Sequence, residues 1–222
     1  FKNIVITYTN RSASDFNELV RKILKVNDTF MTQGEILMAH DTYAPRMDYP
    51  TLYNGSEYIV LSIKKARKIL PFYREMSGYD LRLLDTVEAK NNKSLSCIKE
   101  VFLIDPKYAQ ADIDQLCSTI ERMRLNAVNA KSGYSKKTYW ASWYKLKDSF
   151  VTMHDMYYQG RAIKKKTIDY GYSITVHKSQ GSTYENAHVD MKNILCCPDK
   201  NELRQLQYVA LSRASKMVHL LN

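Results

Sequence analysis

Hydrophobic and polar positions follow different periods along the chain, and the changes of period divide it into three stretches. Residues 3–8 form a short apolar run rich in β-branched side chains, which is typical of a buried parallel strand. Four apolar residues then recur at helical spacing: Phe16, Leu19, Val20 and Ile23. Ser12 or Ser14 could cap this helix. The first stretch therefore predicts the strand and helix of a βαβ unit.

The middle stretch, residues 31–165, has a different texture. Apolar runs at residues 35–39, 57–63, 80–84 and 98–104 predict four closely spaced strands, and we expect them to form a small antiparallel barrel. A helix is predicted to begin near Asp105 and Pro106. Its expected buried face is Ile113, Leu116, Cys117, Ile120 and Met123. A second helix is predicted from Lys137 to Tyr158, with one face formed by Trp143, Leu146, Phe150, Met153 and Tyr157.

The third stretch returns to alternating strands and helices. Residues 172–176, 187–191 and 217–221 predict strands, and residues 201–211 predict a helix. The predicted fold class is therefore α/β, with one parallel-sheet domain made from residues 1–30 and 166–222. Residues 31–165 are predicted to be an insertion, β-rich over about 31–105 and helical over about 106–165.

The charge balance favours a polyanionic partner. There are 33 basic and 23 acidic residues, so the net charge is +10, with a sequence pI near 9.3. Nucleic acid is the first expectation and an anionic membrane the second, although a solvated lysine face would give the same balance. No apolar run approaches the ~20 residues that a membrane-spanning helix needs. The four cysteines form no C-x-x-C pair, which predicts free thiols and no metal site.

The segment from Thr175 to Thr183 is the strongest chemical signal. A predicted strand runs into His177, Lys178 and several hydroxyl side chains around Gly181. Open α/β sheets place their ligands at the carboxyl ends of strands, and these side chains suit phosphate or sugar oxygens. From this chemistry alone, a binding loop and a plain connecting turn remain alternatives.

Residues 177–183 resemble motif V of superfamily 1 helicases, in the form used by the RecD-like, Dda-like and Pif-type enzymes. Residues 207–214 resemble motif VI, and residues 4–12 with 15–17 resemble motif IV more loosely. The resemblance implies that the chain is the C-terminal motor half of a helicase of the RecD-like or Dda-like phage group. It also implies a RecA-like second motor domain with an inserted SH3-like barrel, because residues 52–60 are similar to that barrel's asparagine-glycine turn and strand.

The resemblance assigns roles to individual residues. Arg213 is expected to be catalytic, since the motif VI arginine reaches the γ-phosphate of ATP and can neutralise charge during phosphoryl transfer. For an isolated arginine at a helix end, capping of the last carbonyls would be the usual role. Arg11, Gln180, Gly181 and Arg213 are expected at the ATP site. The residues expected to bind DNA are Thr9, Asn10, His177, Lys178, Ser179, Ser182 and Thr183.

The expected cofactors are ATP and Mg²⁺, held mainly by an N-terminal RecA-like domain. The chain carries no G-x-x-x-x-G-K-[ST] phosphate loop and opens without Met inside a predicted strand, so we expect that domain to precede Phe1. The expected partners are single-stranded and fork DNA, with 5′ to 3′ movement implied by the resemblance. A monomeric protein of the cytoplasm, the host cytoplasm if phage-encoded, is expected.

Aromatic and basic residues are interleaved over residues 134–147. Bases stack on aromatic rings set among cations, which suits single strands. Their helical spacing favours the other interpretation, in which the rings are core and the lysines are the solvated face. Two alternatives to the motor also stay open, a non-catalytic single-stranded nucleic-acid-binding module and an RNA motor.

Overall fold

The computed structural model describes residues 3–26, 30–45, 51–91, 97–105, 107–108 and 110–221. The strands are β1 Asn3–Thr7, β2 Ile36–Ala39, β3 Glu57–Ile69, β4 Glu75–Asp85, β5 Ile98–Ile104, β6 Met156–Tyr158, β7 Arg161–Lys164, β8 Ile168–Tyr170, β9 Ser173–Thr175, β10 Tyr184–Asp190 and β11 Ala214–Leu221. The helices are α1 Asn10–Ile23, α2 Thr86–Asn91, α3 Gln110–Asn129, α4 Gly133–Lys147, α5 Val176–Ser179, α6 Met191–Ile194 and α7 Lys200–Leu211. The chain forms two compact units, residues 1–31 with 170–222, and residues 32–169.

The first unit contains a four-stranded sheet built from both ends of the chain. Its strand order is β11–β10–β1–β9, and every neighbouring pair is parallel. Ile4 and Ile6 of β1 and Ala187 and Val189 of β10 are all at most 1% exposed, which gives this sheet its core face. The predicted parallel sheet made from the two ends of the chain is confirmed.

Helix α1 packs differently from the prediction. Thr9, not Ser12 or Ser14, is its N-cap, and its buried residues are Ala13, Asn17 and Arg21. The Asn17 side chain bonds the backbone beside β9, donating to the Tyr170 carbonyl at 2.9 Å and accepting from the Ser173 amide at 2.8 Å. A polar side chain therefore fixes the helix to the sheet, while Leu19 and Ile23 of the predicted apolar stripe are exposed.

The second unit contains a five-stranded sheet in the order β5–β4–β3–β2–β8. Strands β2 to β5 pair antiparallel, as predicted, but β3 and β4 are longer than expected and pair from Tyr58–Asp85 out to Ile69–Glu75. These pairings make β2 to β5 an antiparallel meander, and the SH3-like barrel stays a prediction.

Helices α3 and α4 cover a second core next to the end of the β3–β4 hairpin. The buried members of this core are Leu70, Met76, Phe102, Ile104, Leu116, Cys117, Ile120, Leu146, Phe150, Met156 and Ile163. The predicted buried face of α3 is confirmed at Leu116, Cys117 and Ile120. The helix begins at Gln110, because Asp105 makes a turn of its own by accepting the Lys107 amide at 2.9 Å. Pro106 lies outside the described residues.

The predicted helix from Lys137 to Tyr158 is wrong in its second half. Helix α4 ends at Lys147, and the chain then pairs with β5, where Val151 donates to the Phe102 carbonyl at 2.8 Å. Residues 156–164 form the β6–β7 hairpin around Gln159 and Gly160, both with positive φ. Such a two-residue turn favours a hairpin. Phe150 is buried as expected, but in an extended segment.

The preference for a core role of the α4 aromatic residues is confirmed for Trp143, which packs against the second core, and is wrong for the tyrosines. Leu146 is the one buried residue of α4. Tyr134, Tyr139 and Tyr144 are 85%, 44% and 43% exposed.

Candidate nucleotide and nucleic-acid site

Two of the predicted motif loops leave the parallel sheet at the same edge. Strands β1 and β9 are neighbours, and Thr7 lies opposite Thr175 at their carboxyl ends. The segment with Thr9, Asn10 and Arg11 follows β1, and α5 follows β9 directly. The carboxyl edge is where open α/β sheets bind ligands. The structure thus brings the motif IV and motif V segments together.

Thr9 has a structural role at this edge. Its hydroxyl accepts from the Ser12 amide at 3.2 Å, which caps α1. Asn10 and Arg11 form the first turn of α1, and both are exposed. The amides of a helix N-terminus favour anions, so these two side chains flank a position suited to a phosphate.

Asn193 holds this turn in place, and the sequence-based prediction did not include it. Its amide oxygen accepts from the backbone N–H groups of Tyr8 at 2.8 Å and Thr9 at 2.9 Å. Asp190 in turn accepts from the Asn193 amide at 3.0 Å and from the Ser12 hydroxyl at 3.2 Å. The signal in the sequence is an Asp-x-x-Asn pattern closing a predicted strand, which is a usual N-cap arrangement.

Tyr8 connects this turn to the loop before α7. Its side-chain hydrogen bond with Cys197 raises the pKa of the phenol above its ordinary value. Cys197 itself is buried and one of the free thiols. The Tyr8 phenol and the Cys197 thiol are therefore neighbours.

The motif V helix α5 presents its side chains in different directions. His177 is exposed, and its Nε2 lies 3.4 Å from Oε1 of Glu202 in α7. Lys178 is half-buried. Ser179 is fully buried, and its hydroxyl donates to the Val176 carbonyl at 2.7 Å. Contact between Ser179 and DNA would thus need this loop to move.

The rest of the motif V segment forms the connection to β10. Gly181 adopts φ +83°, while a Cβ there would meet no atom within 4 Å, so the backbone conformation rather than close packing favours glycine. Gln180 and Thr183 are exposed and Ser182 is half-exposed. The Ser182 amide donates to the Ser179 carbonyl at 3.1 Å, which closes the turn.

Arg213 ties motif VI to motif V. Its Nη1 donates to the Ser182 carbonyl at 3.3 Å, its Nε to the Val209 carbonyl at 3.1 Å, and its Nη2 to the Ser212 hydroxyl at 2.9 Å. The bond to Val209 is the helix-capping contact expected of an isolated arginine. The bond to Ser182 goes beyond capping, since it reaches 31 residues back to the motif V loop. Three of the five guanidinium N–H donors are thereby used, and two remain.

The predicted site residues do not all share one edge of the sheet. Tyr184 of β10 lies opposite Ala214 of β11, so Thr183 and Arg213 both precede strands and lie at the amino edge. Helix α7 spans the two edges, because Glu202 in its first turn lies beside His177 and Arg213 follows its last turn. A shift of α7 would move both ends of the site.

The described residues contain no group of three or more His, Cys, Asp or Glu side chains placed to hold a metal ion. None of their helices is both long and apolar enough to cross a membrane.

The C-terminal part of the chain matches a known family. Residues 170–221 match the model of the UvrD-like helicase C-terminal domain. This stretch contains α5, α7 and Arg213, so the match supports the predicted resemblance to a superfamily 1 helicase there. The RecD-like or Dda-like grouping stays a prediction.

Similar proteins cover the whole chain but are distant. An uncharacterised protein of Acanthamoeba polyphaga mimivirus is 23% identical over 253 residues, covering 96% of this chain and 46% of the relative. The Pif1 helicase from Candida albicans has a TM-score of 0.48 at 13% identity, covering 100% of this chain and 45% of that one. The Pif1 helicase from Bacteroides, in complex with ADP-AlF3 and ssDNA, has a TM-score of 0.47 at 12% identity, with coverages of 99% and 40%. The chain thus spans less than half the length of each.

Proposed function

We propose that this chain is the C-terminal motor half of an ATP-dependent superfamily 1 DNA helicase. The observation that carries the proposal is the hydrogen bond from Arg213 to the Ser182 carbonyl, inside the stretch that matches a helicase C-terminal domain. It joins the residue expected to meet ATP to the loop expected to meet DNA. Such a link is what a motor needs in order to couple the two.

In the proposed motor, DNA lies along the carboxyl edge of the parallel sheet. Asn10, His177 and Lys178 meet the phosphates of a single strand, while Thr9 and Asn193 hold the turn that presents Asn10. Ser182 and Thr183 are proposed to meet the same strand from the loop that connects α5 to β10. Movement from 5′ to 3′ and unwinding of a duplex are implied by the resemblance.

At the ATP site, Arg213 supplies positive charge to the phosphates. The guanidinium is half-buried and retains two N–H donors, which fits a phosphate oxygen. ATP with Mg²⁺ would supply the phosphoryl group and would be held mainly by an N-terminal RecA-like domain. The C-terminal half is proposed to contribute three further residues to the ATP site: Arg11, Gln180 and Gly181.

We propose that residues 31–165 form the insertion of this motor domain. The antiparallel strands β2 to β5 support an SH3-like barrel over about 31–105. Helices α3 and α4 support the helical extension over about 106–165.

Replacing Arg213 tests the proposal. In the intact protein, Arg213→Ala should lower single-stranded-DNA-stimulated ATP hydrolysis by about a thousandfold or more, because an arginine at a transferring phosphoryl group is worth roughly 10³–10⁵ in rate. DNA affinity should change less than about threefold. Arg204→Ala is the matched control, since Arg204 is exposed in the same helix. Steady-state ATPase assays and fluorescence anisotropy measure the two quantities.

Undiminished turnover in Arg213→Ala would overturn the assignment of this residue. Since Arg213 also caps α7, thermal unfolding of the variant must show a folded protein before the result counts. An intact protein that binds single-stranded DNA without hydrolysing ATP would favour the non-catalytic binding module. Stronger stimulation by single-stranded RNA than by DNA would favour the RNA motor.

A further inference from the structure

One side of α4 carries three aromatic rings with a lysine at each end. Its members are Lys136, Trp140, Trp143, Tyr144 and Lys147, at spacings of three, four, seven and eight residues that place them along one side of the helix. The helix contains four lysines and no acidic residue. This side of α4 therefore combines two cations with an exposed tyrosine and two half-buried tryptophans.

Trp143 organises the rings of this surface. It meets Trp140 edge to face at a centroid distance of 5.3 Å, and Tyr144 at 4.7 Å. The Lys147 ammonium lies 4.7 Å from the centre of the Trp143 ring. Trp143 packs against the second core, so Trp140 and Tyr144 are braced from below with their other faces available.

A cavity of about 330 Å³ opens beside these rings. Arg124 and Arg161 contribute to its wall, together with Lys147, Ile163 and the three aromatic side chains. The acid in the wall, Glu121, is already paired: Arg124 Nη2 lies 2.8 Å from its Oε1, and Arg161 Nη1 lies 3.4 Å from it. The wall is thus cationic and aromatic, with its acid neutralised.

The Trp143 ring nitrogen is an unusual feature of this cavity. It is buried and has no hydrogen-bond partner among the described residues. A buried donor without an acceptor costs free energy, and a shift of the ring that brought it to an acceptor on a ligand would recover part of that cost. A base carbonyl or a phosphate oxygen has the required chemistry.

We propose that this cavity, which we name the α4 pocket, binds an unpaired base of single-stranded DNA. The base stacks on Trp140 and Tyr144, and Lys136, Lys147 and Arg161 receive the adjoining phosphates. Stacking on aromatic rings tolerates any base, and the excess of positive charge selects a polyanion over a protein. The site is separate from the motif loops and needs no ATP; only the choice of DNA over RNA rests on the proposed function.

Tryptophan fluorescence can test the α4 pocket directly. The chain has two tryptophans, and both line this cavity, so the signal reports on it alone. Titration of the 222-residue chain with oligothymidylate of about ten nucleotides should quench the emission. By anisotropy with a labelled oligomer, Trp140→Ala should weaken binding by about tenfold, since each base–aromatic stack contributes measurably to affinity. Trp140→Phe should retain most of it.

Tyr134→Ala is the matched control, because Tyr134 is 85% exposed on the same helix but does not line the cavity. It should bind within about twofold of the parent. Lys136→Glu provides a second variant with little risk to folding, since Lys136 is exposed, and it should weaken binding and flatten the salt dependence.

Unchanged affinity of both Trp140→Ala and Lys136→Glu would overturn the proposal, and quenching by oligouridylate alone would overturn the choice of DNA over RNA. Apart from that choice, the outcome is independent of the motor assignment. Loss of ATPase in Arg213→Ala with normal quenching supports both proposals. Absence of ATPase in the intact protein with normal quenching leaves the α4 pocket standing and removes the motor.

Discussion

Lys164 shows how one buried charge is accommodated in the second unit. Its ammonium donates to the Lys147 carbonyl at 2.5 Å and lies 3.9 Å from the Asp148 carboxylate, above the rings of Phe150 and Tyr43. Burial lowers its pKa to about 8, against the partial compensation of Asp148. Burial also raises the pKa of Asp148. The fold therefore disfavours the charged lysine.

This lysine should make stability depend on pH. Between about pH 8 and 10.5 the unfolded chain keeps the Lys164 proton while the folded chain has lost it, so the free energy of unfolding should rise with pH. The rise should be roughly 1 kcal/mol per pH unit, somewhat below the limit of about 1.4. Urea unfolding of the parent and of Lys164→Met, at several pH values from 7 to 9.5, measures it.

The difference in unfolding free energy between the parent and Lys164→Met removes the contribution of titrating groups that both proteins share. One such group is Cys117, whose pKa is raised by burial. A difference in unfolding free energy that stays flat across this range would contradict the lowered pKa of Lys164.

Also at the residue scale, Arg213 shows where a sequence motif and a structural rule overlap. The capping of α7 and the bond to the motif V loop are made by the same guanidinium, through different nitrogen atoms. From the sequence, helix capping and phosphate binding are alternative roles for Arg213. The five N–H donors of its guanidinium group allow both at once.

At the scale of the element, strand β4 lies unusually close to strand β5 at Gly78. A Cβ on this residue would lie 2.2 Å from the Leu103 carbonyl oxygen and 2.8 Å from Cζ of Phe102. Gly78 pairs with Ile104 of β5, so relief of the clash would have to displace the strand. The position of β5 thus requires a residue without a side chain at position 78 of β4.

Gly78→Ala should therefore lower the free energy of unfolding by about 1–3 kcal/mol, in the range typical of overpacking. Gly133→Ala is the control, because a Cβ at Gly133 in the first turn of α4 meets nothing within 4 Å. It should be neutral or slightly stabilising, since alanine favours helix. Chemical denaturation of both variants compares them, and equal stability would contradict the close approach.

The elements predicted wrongly were those whose local signal competed with a distant partner. Residues 148–158 have helical periodicity in sequence, yet Val151 bonds to β5 and residues 156–158 bond to β7. The Gln159–Gly160 turn was the one local signal for this hairpin. In α1 the apolar stripe was read correctly as helical, but Asn17 decided which side faces the sheet.

At the scale of the whole molecule, the net charge of +10 should govern association with nucleic acid. The affinity of the 222-residue chain for oligothymidylate should fall as salt is added, and log Kd should rise linearly with the logarithm of the salt concentration. The reason is that each phosphate contact releases about 0.7 counterion from a single strand. Three to five contacts would give a slope of roughly 2–4. Anisotropy titrations from 50 to 300 mM NaCl measure this slope. A salt-independent Kd would argue against phosphate recognition both at the carboxyl edge of the parallel sheet and at the α4 pocket.

The sequence by itself determined the parallel sheet, most strand positions and the segments that carry motifs IV, V and VI. Those features depend on local periodicity and on contiguous residues, which are visible without tertiary contacts. Tertiary structure alone decided that Asn193 holds the turn after β1, that Ser179 points inward, and that Arg213 reaches Ser182. It also decided that the tyrosines of α4 lie at the surface while Trp143 packs against the second core. Periodicity shows that a helix has an apolar side, but only the neighbouring elements determine how much of that side they cover.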